Sequence, residues 1–180
     1  YRGEAMEPWY HLKITNQETK IMFLRMFRDW FRSRGNGYES FVGALIHGDV
    51  EQMNYYMNKI ALASFSYFDV GGQEPEKFYH GYMIGILSQM TGYEIQSNKE
   101  QGNGRPDIVL KPFSPKQPAI ILELKRAHKF TQMEGLCDAA LEQMEEKRYD
   151  AELVEEGYQI ILKYGICFCR KNCMVKIGNH

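Results

Sequence analysis

The stretch Ala119-Ile-Ile-Leu-Glu-Leu-Lys125 constrains the fold more than any other part of the chain. It is too short and too rich in β-branched residues for a helix of its own and reads as a buried strand. The strand period of two sends Ile120, Leu122 and Leu124 to one face and places Glu123 with Lys125 on the other. Burying an acid and a base at the end of such a strand is costly without a reason. Sixteen residues before Glu123, Pro106-Asp107 opens another candidate strand. Hairpin-like pairing of the two would bring the Asp107 carboxylate beside Glu123, with the Lys125 ammonium next to both.

Two close carboxylates repel unless a cation lies between them, and hard oxygen donors of this kind suit Mg²⁺ or Mn²⁺. Such an ion polarises a phosphodiester oxygen and acidifies a bound water, while a lysine stabilises charge developing on phosphate. On residue types alone the blander reading is the stronger one: Glu123 and Lys125 in a surface cross-strand ladder, and Asp107 capping a turn.

The rest of the chain supplies a frame. Ile21, Leu24, Phe27, Trp30 and Phe31 predict an amphipathic helix over 16–34, and the same periodicity predicts helices over 38–46 and 50–64, with His47-Gly48-Asp49 as turn and N-cap. After Gly71-Gly72 the pattern changes. Pro75 sits where a helix begins, and Tyr79, Tyr82, Met83, Ile86, Leu87 and Met90 form one stripe over 76–91 until Gly92. Strands follow at 93–97, 107–111 and 119–125, then a helix over 132–148 and strands at 158–169 and 174–177. The order αβββαββ divides the chain into a helical segment, 1–72, and an α/β unit, 73–180.

Composition narrows the function classes. The 180 residues carry 22 Lys and Arg against 23 Asp and Glu, the balance of an ordinary globular chain, and no apolar stretch approaches the roughly 20 residues of a membrane span. The near-neutral total hides an asymmetry: residues 99–130 hold seven basic and three acidic side chains, whereas 131–156 hold nine acidic and two basic. Only the first stretch suits a polyanion. Cys137, Cys167, Cys169 and Cys173 all fall in the last quarter without a Cys-x2-Cys pair, which predicts buried or free thiols in a reducing cytoplasm rather than disulfides or zinc. The start at Tyr1, with neither an initiator Met nor a signal pattern, predicts a piece of a larger protein.

The helix-and-strand order, with Asp107 on the second strand and Glu123-Leu124-Lys125 on the third, resembles the PD-(D/E)XK nuclease superfamily. Phe78-Tyr-His-Gly81, Ser97-Asn-Lys-Glu100, Gly102-Asn-Gly-Arg-Pro-Asp107, Ile121-Leu-Glu-Leu-Lys125 and the stretch from Ala140-Leu-Glu-Gln143 to Lys147-Arg-Tyr149 resemble the nuclease-like domain at the C-terminus of bacterial AAA-ATPase-like proteins. The resemblance is close over 74–178 and looser before it. It implies a restriction-endonuclease-like αβββαβ core, its mixed central sheet flanked by helices and preceded by a helical segment that packs on the core or on an ATPase-like module.

It also implies roles. Asp107, Glu123 and the Leu124 carbonyl would hold Mg²⁺ or Mn²⁺, and Lys125 would be the catalytic lysine. Glu76 would touch metal-bound water, and His80 and Gln143 would join the site. Arg105, Lys99 and Tyr149 would meet nucleic-acid phosphate. Lys99, Gln101 and Leu124 stand where the family more often has Arg, Ser and Phe, departures that bear on substrate preference and remove no ligand.

The expected function is metal-dependent phosphodiester hydrolysis, in DNA ahead of RNA, with weak sequence specificity because nothing resembles a base-reading helix. The sequence leaves the oligomeric state open. The rival is a non-catalytic protein-binding or regulatory module on the same scaffold, supported by the acidic stretch 131–156. It turns on whether those acids face the cleft.

Overall fold

Helix α1, Gly37–His47, buries Phe41, Ala44 and Leu45 at helical spacing. Gly48, at φ +75°, turns the chain out of it, and Asp49 then caps α2, Val50–Ser64, by accepting the Gln52 N–H at 3.0 Å. These positions come from a computed structural model that describes residues 37–64, 75–97, 104–114 and 116–178. The helix expected over 16–34 and the candidate Lys99 lie outside the described residues.

Helix α3, Pro75–Leu87, starts on its proline as expected and buries Tyr79, Met83, Ile86 and Leu87. It ends four residues short of the expected Thr91. Met90 N–H bonds back three residues to the Leu87 carbonyl at 2.8 Å, and Gly92 takes φ +87°, so the apolar stripe outlasts the helical ladder.

Five strands form one sheet in the order β1-β2-β3-β4-β5: Tyr93–Ser97, Ile108–Pro112, Ala119–Arg126, Ile161–Cys169 and Asn172–Ile177. All neighbours are antiparallel except β3 and β4, which run parallel in register from Ala119↔Ile161 to Arg126↔Phe168. A parallel pair needs a crossover. It consists of a 3₁₀ turn, Phe130–Gln132, helix α4, Met133–Glu146, and helix α5, Ala151–Glu155. Helix α5, only five residues long, is too short to display a periodicity and went unpredicted; Gly157, at φ +90°, ends it, so β4 starts three residues later than expected. The architecture is the expected mixed α/β sheet flanked by helices.

Both faces of the sheet are covered. Ile120 and Leu122 pack with α1, α2 and α3, while Ala119 and Ile121 pack with α4 and α5. Helix α4 lies directly on β4, because a Cβ at Gly165 would run into the Cys137 backbone carbonyl. That close approach puts the Gln143 side chain of α4 within hydrogen-bond reach of Glu123 and Lys125 on β3.

Helix α2 also closes an edge. Asn54 donates to the Val175 carbonyl at 2.9 Å and accepts the Val175 N–H at 2.8 Å, and Asn58 does the same with Cys173 at 2.7 and 2.9 Å. Residues four apart on a helix thereby pair with residues two apart on β5, and each carboxamide stands in for a neighbouring strand.

Candidate active site

The site arises where two strands end at different heights. The last β2–β3 pair is Ile108↔Leu122, yet β3 continues to Arg126 beside β4. Ala119 and Ala127 send their N–H groups to carbonyls of the β4 side, Ile160 and Phe168, so residues of odd number in β3 face β4. Leu124 therefore turns its N–H and C=O toward the side that β2 has left. Asp107 stands one residue before β2 and fills that gap: its Oδ2 accepts the Leu124 N–H at 2.7 Å. Extending the register one step places Asp107 opposite Glu123.

Glu123 is almost completely buried. Its Oε1 accepts from Lys125 Nζ at 3.0 Å and from Gln143 Nε2 at 2.7 Å, and Lys125 Nζ also donates to Gln143 Oε1 at 2.6 Å. The three side chains close a ring that spends one carboxylate oxygen. The other, Oε2, is buried with no hydrogen-bond partner among the described residues. Burial raises the Glu123 carboxyl above its ordinary value and the Asp107 carboxylate raises it further, against a downward pull from Lys125. Two acids and a lysine converge, as the spacing predicted, and the surface-ladder reading falls with the burial of Glu123.

A cleft of about 330 Å³ opens over them, lined by Glu76, Tyr79, His80, Asp107, Glu123, Leu124, Lys125, Arg126 and Leu136. Glu76 is exposed in the first turn of α3. His80 Nε2 lies 3.2 Å from the Asp107 backbone carbonyl and 3.0 Å from Ser97 Oγ. In the tautomer that carries its ring proton on Nε2, the imidazole donates to that carbonyl. His80 thus steadies the backbone at Asp107 from α3.

Tyr149 lies behind the cleft, buried, with its hydroxyl accepting from Gln143 Nε2 at 3.0 Å. Its ring packs on Gly104, where a Cβ would come within 2.8 Å of Tyr149 Cε1. Gly104 therefore allows the chain entering Asp107 to pass the tyrosine. Arg105 is exposed and outside the cleft lining.

Tyr79, Arg126 and Leu136 line the cleft without having been singled out from the sequence. Tyr79 is stacked on Phe168 at 4.5 Å, its hydroxyl donates to the Arg170 carbonyl at 2.8 Å, and burial pushes its pKa up to about 12 against the opposing charge of Arg126. The available signal for Arg126 was its place directly after Lys125, in the basic stretch.

The acids of 131–156 do not face the cleft: none of the nine lines it. Six of them are paired: Glu152 and Glu156 with Lys111, Glu145 and Asp150 with Lys163, and Glu134 and Asp138 with Lys176. The four cysteines are buried free thiols.

Among the described residues no three His, Cys, Asp or Glu side chains gather as a ready metal cluster. What the site offers is smaller: Asp107 Oδ1, free of any hydrogen-bond donor among the described residues, the orphaned Glu123 Oε2, and the Leu124 carbonyl on the open strand edge. Three hard oxygens of this kind fit a cation that keeps several waters. No curated protein matches the sequence. The model of one family, described as the PD-(D/E)XK nuclease superfamily, matches residues 74–177, more than half of the chain, and it is to that superfamily that the chain belongs.

Proposed function

We propose that the protein is a Mg²⁺- or Mn²⁺-dependent phosphodiesterase that cuts nucleic acid, with DNA as its substrate. The observation that carries this reading is the buried Oε2 of Glu123, without a hydrogen-bond partner among the described residues, in a carboxyl close enough to Asp107 to feel its charge. A buried charged oxygen without a donor costs several kcal/mol unless a cation takes it up, on the order of 1–3 kcal/mol even for a polar group in mutational series.

Asp107, Glu123 and the Leu124 carbonyl are the proposed ligands, with Glu76 reaching the site through water. When bound, the ion would supply Lewis acidity toward a phosphodiester oxygen and a water made acidic enough to attack. The protein's own part is positional. Gln143 donates to Glu123 Oε1 and so leaves Oε2 to the cleft, while its carbonyl oxygen holds the Lys125 ammonium where charge develops on phosphate. His80 holds the Asp107 backbone. Backbone contacts would dominate binding, with weak sequence preference. Residues 1–72 are read, within the same proposal, as the helical segment between this core and an ATPase-like module.

The test is cleavage of supercoiled and linear DNA with Mg²⁺ or Mn²⁺, with Asp107→Ala and Lys125→Ala in parallel and metal binding followed by calorimetry. Cleavage that EDTA and both substitutions abolish is expected. Absence of both cleavage and metal binding would favour the scaffold reading.

A further inference from the structure

Arg126 is the one cleft-lining cation that forms neither a hydrogen bond nor an ion pair through its side chain among the described residues. Lys125, its neighbour, is committed to Glu123 and Gln143. Successive strand residues point to opposite faces, so Lys125 serves the α4 side of the sheet and Arg126 the α3 side, near the Tyr79 hydroxyl. The two cations therefore reach one cleft from opposite faces of β3.

The charge of the cleft gives Arg126 a task. Among the described lining residues, Glu76, Asp107 and Glu123 oppose Lys125 and Arg126, an excess of one negative charge. A divalent cation reverses this balance in favour of a polyanion, and the Arg126 guanidinium, without a partner among the described residues, is then the ready donor. Its planar fork matches phosphate oxygens two at a time.

We propose that Arg126 is a phosphate-binding residue that seats, on the α3 wall, the phosphodiester next to the one attacked. This deepens the nuclease reading and rests on it. Positioning a second phosphate fixes the direction of the strand across the carboxylates, so the site takes polynucleotides in preference to isolated phosphodiesters.

The test is binding of a short fluorescein-labelled DNA duplex across a salt series, with Ca²⁺ in place of Mg²⁺ to hold the DNA intact, by the parent chain, Arg126→Gln, Arg126→Lys and Lys116→Gln. Lys116 is exposed and lies before β3, at the far end of the sheet from the cleft. One lost phosphate contact flattens the slope of log affinity against log salt by about 0.9. That flattening is expected for Arg126→Gln, with restoration in Arg126→Lys, no change in Lys116→Gln, and a raised KM for cleavage by Arg126→Gln in Mg²⁺. An unaltered slope in Arg126→Gln, an equal loss in Lys116→Gln, or no DNA binding by the parent overturns the inference. An Arg126-dependent slope in a parent that never cuts keeps the phosphate seat and removes the hydrolysis reading alone.

Discussion

At Gln143 one carboxamide has two opposed duties. Its Nε2 donates to Glu123 Oε1 and its Oε1 accepts from Lys125, so it orients an acid and a base at once. A leucine of similar size would do neither and would let Lys125 draw closer to the carboxylate. Gln143→Leu is expected to lower kcat about 10–100-fold, the usual cost of losing a partner that orients a metal ligand, the role proposed for Glu123. Steady-state cleavage assays check this, and a kcat within about twofold of the parent would refute it. Asp107, Glu123 and Lys125 were legible in the sequence because strand alternation and a short pairing distance suffice to bring them together. Gln143 was reached through the family resemblance. Tyr149 was expected at phosphate and is found behind Gln143, since helix spacing does not reveal where the chain after α4 turns.

Among the elements, the pairing of α2 with β5 was not foreseen. The periodicity of 50–64 predicted the helix and nothing about its partner, yet Asn54 and Asn58 each satisfy both backbone groups of one edge residue. A carboxamide is the side chain that can donate and accept in the geometry of a peptide group. Replacing either by leucine leaves an N–H and a C=O of β5 without these partners at a part-buried edge, at a cost of about 1–3 kcal/mol for each substitution. Urea unfolding with an unchanged m-value is the measurement, and a loss under about 0.5 kcal/mol for the double substitution would show that the edge is satisfied by water instead. The freed edge should also promote association at high protein concentration.

For the molecule as a whole, the near-neutral total conceals a deliberate separation of charge. Lys111, Lys163 and Lys176, projecting from the sheet, pair six of the acids between Glu134 and Glu156, which leaves the cleft to its own carboxylates. Burial opposes the ammonium forms of Lys111 and Lys163, but their hydrogen bonds, to Glu156 and Glu152 and to Asp150 and Glu145, prevail, and both pKa values lie above the ordinary 10.5. A base whose pKa is raised by folding binds its proton more tightly in the native state, so this stabilisation is complete below the unfolded value and lost as the pH climbs through the folded one. The urea midpoint is therefore expected to hold steady up to the ordinary lysine value of 10.5 and to fall as the pH is raised beyond it, with a smaller fall in Lys111→Met and in Lys163→Met. An equal fall in the parent and both variants would locate the alkaline loss elsewhere.

Local regularities suffice for much of this protein. Period, turn residues and the alternation of Glu123 with Lys125 reveal helices α1 to α4, the five strands and the carboxylate pair, because each depends on neighbours a few positions apart. What they leave out depends on contacts distant in the chain. Helix α5 lacks the length to show a period, the Asn54 and Asn58 bonds span more than a hundred residues, and the place of half-buried Arg126 and Leu124 in the cleft follows from β2 ending before β3. Only the folded sheet sets the relative heights of two strands, and that difference in height is what opens the cleft.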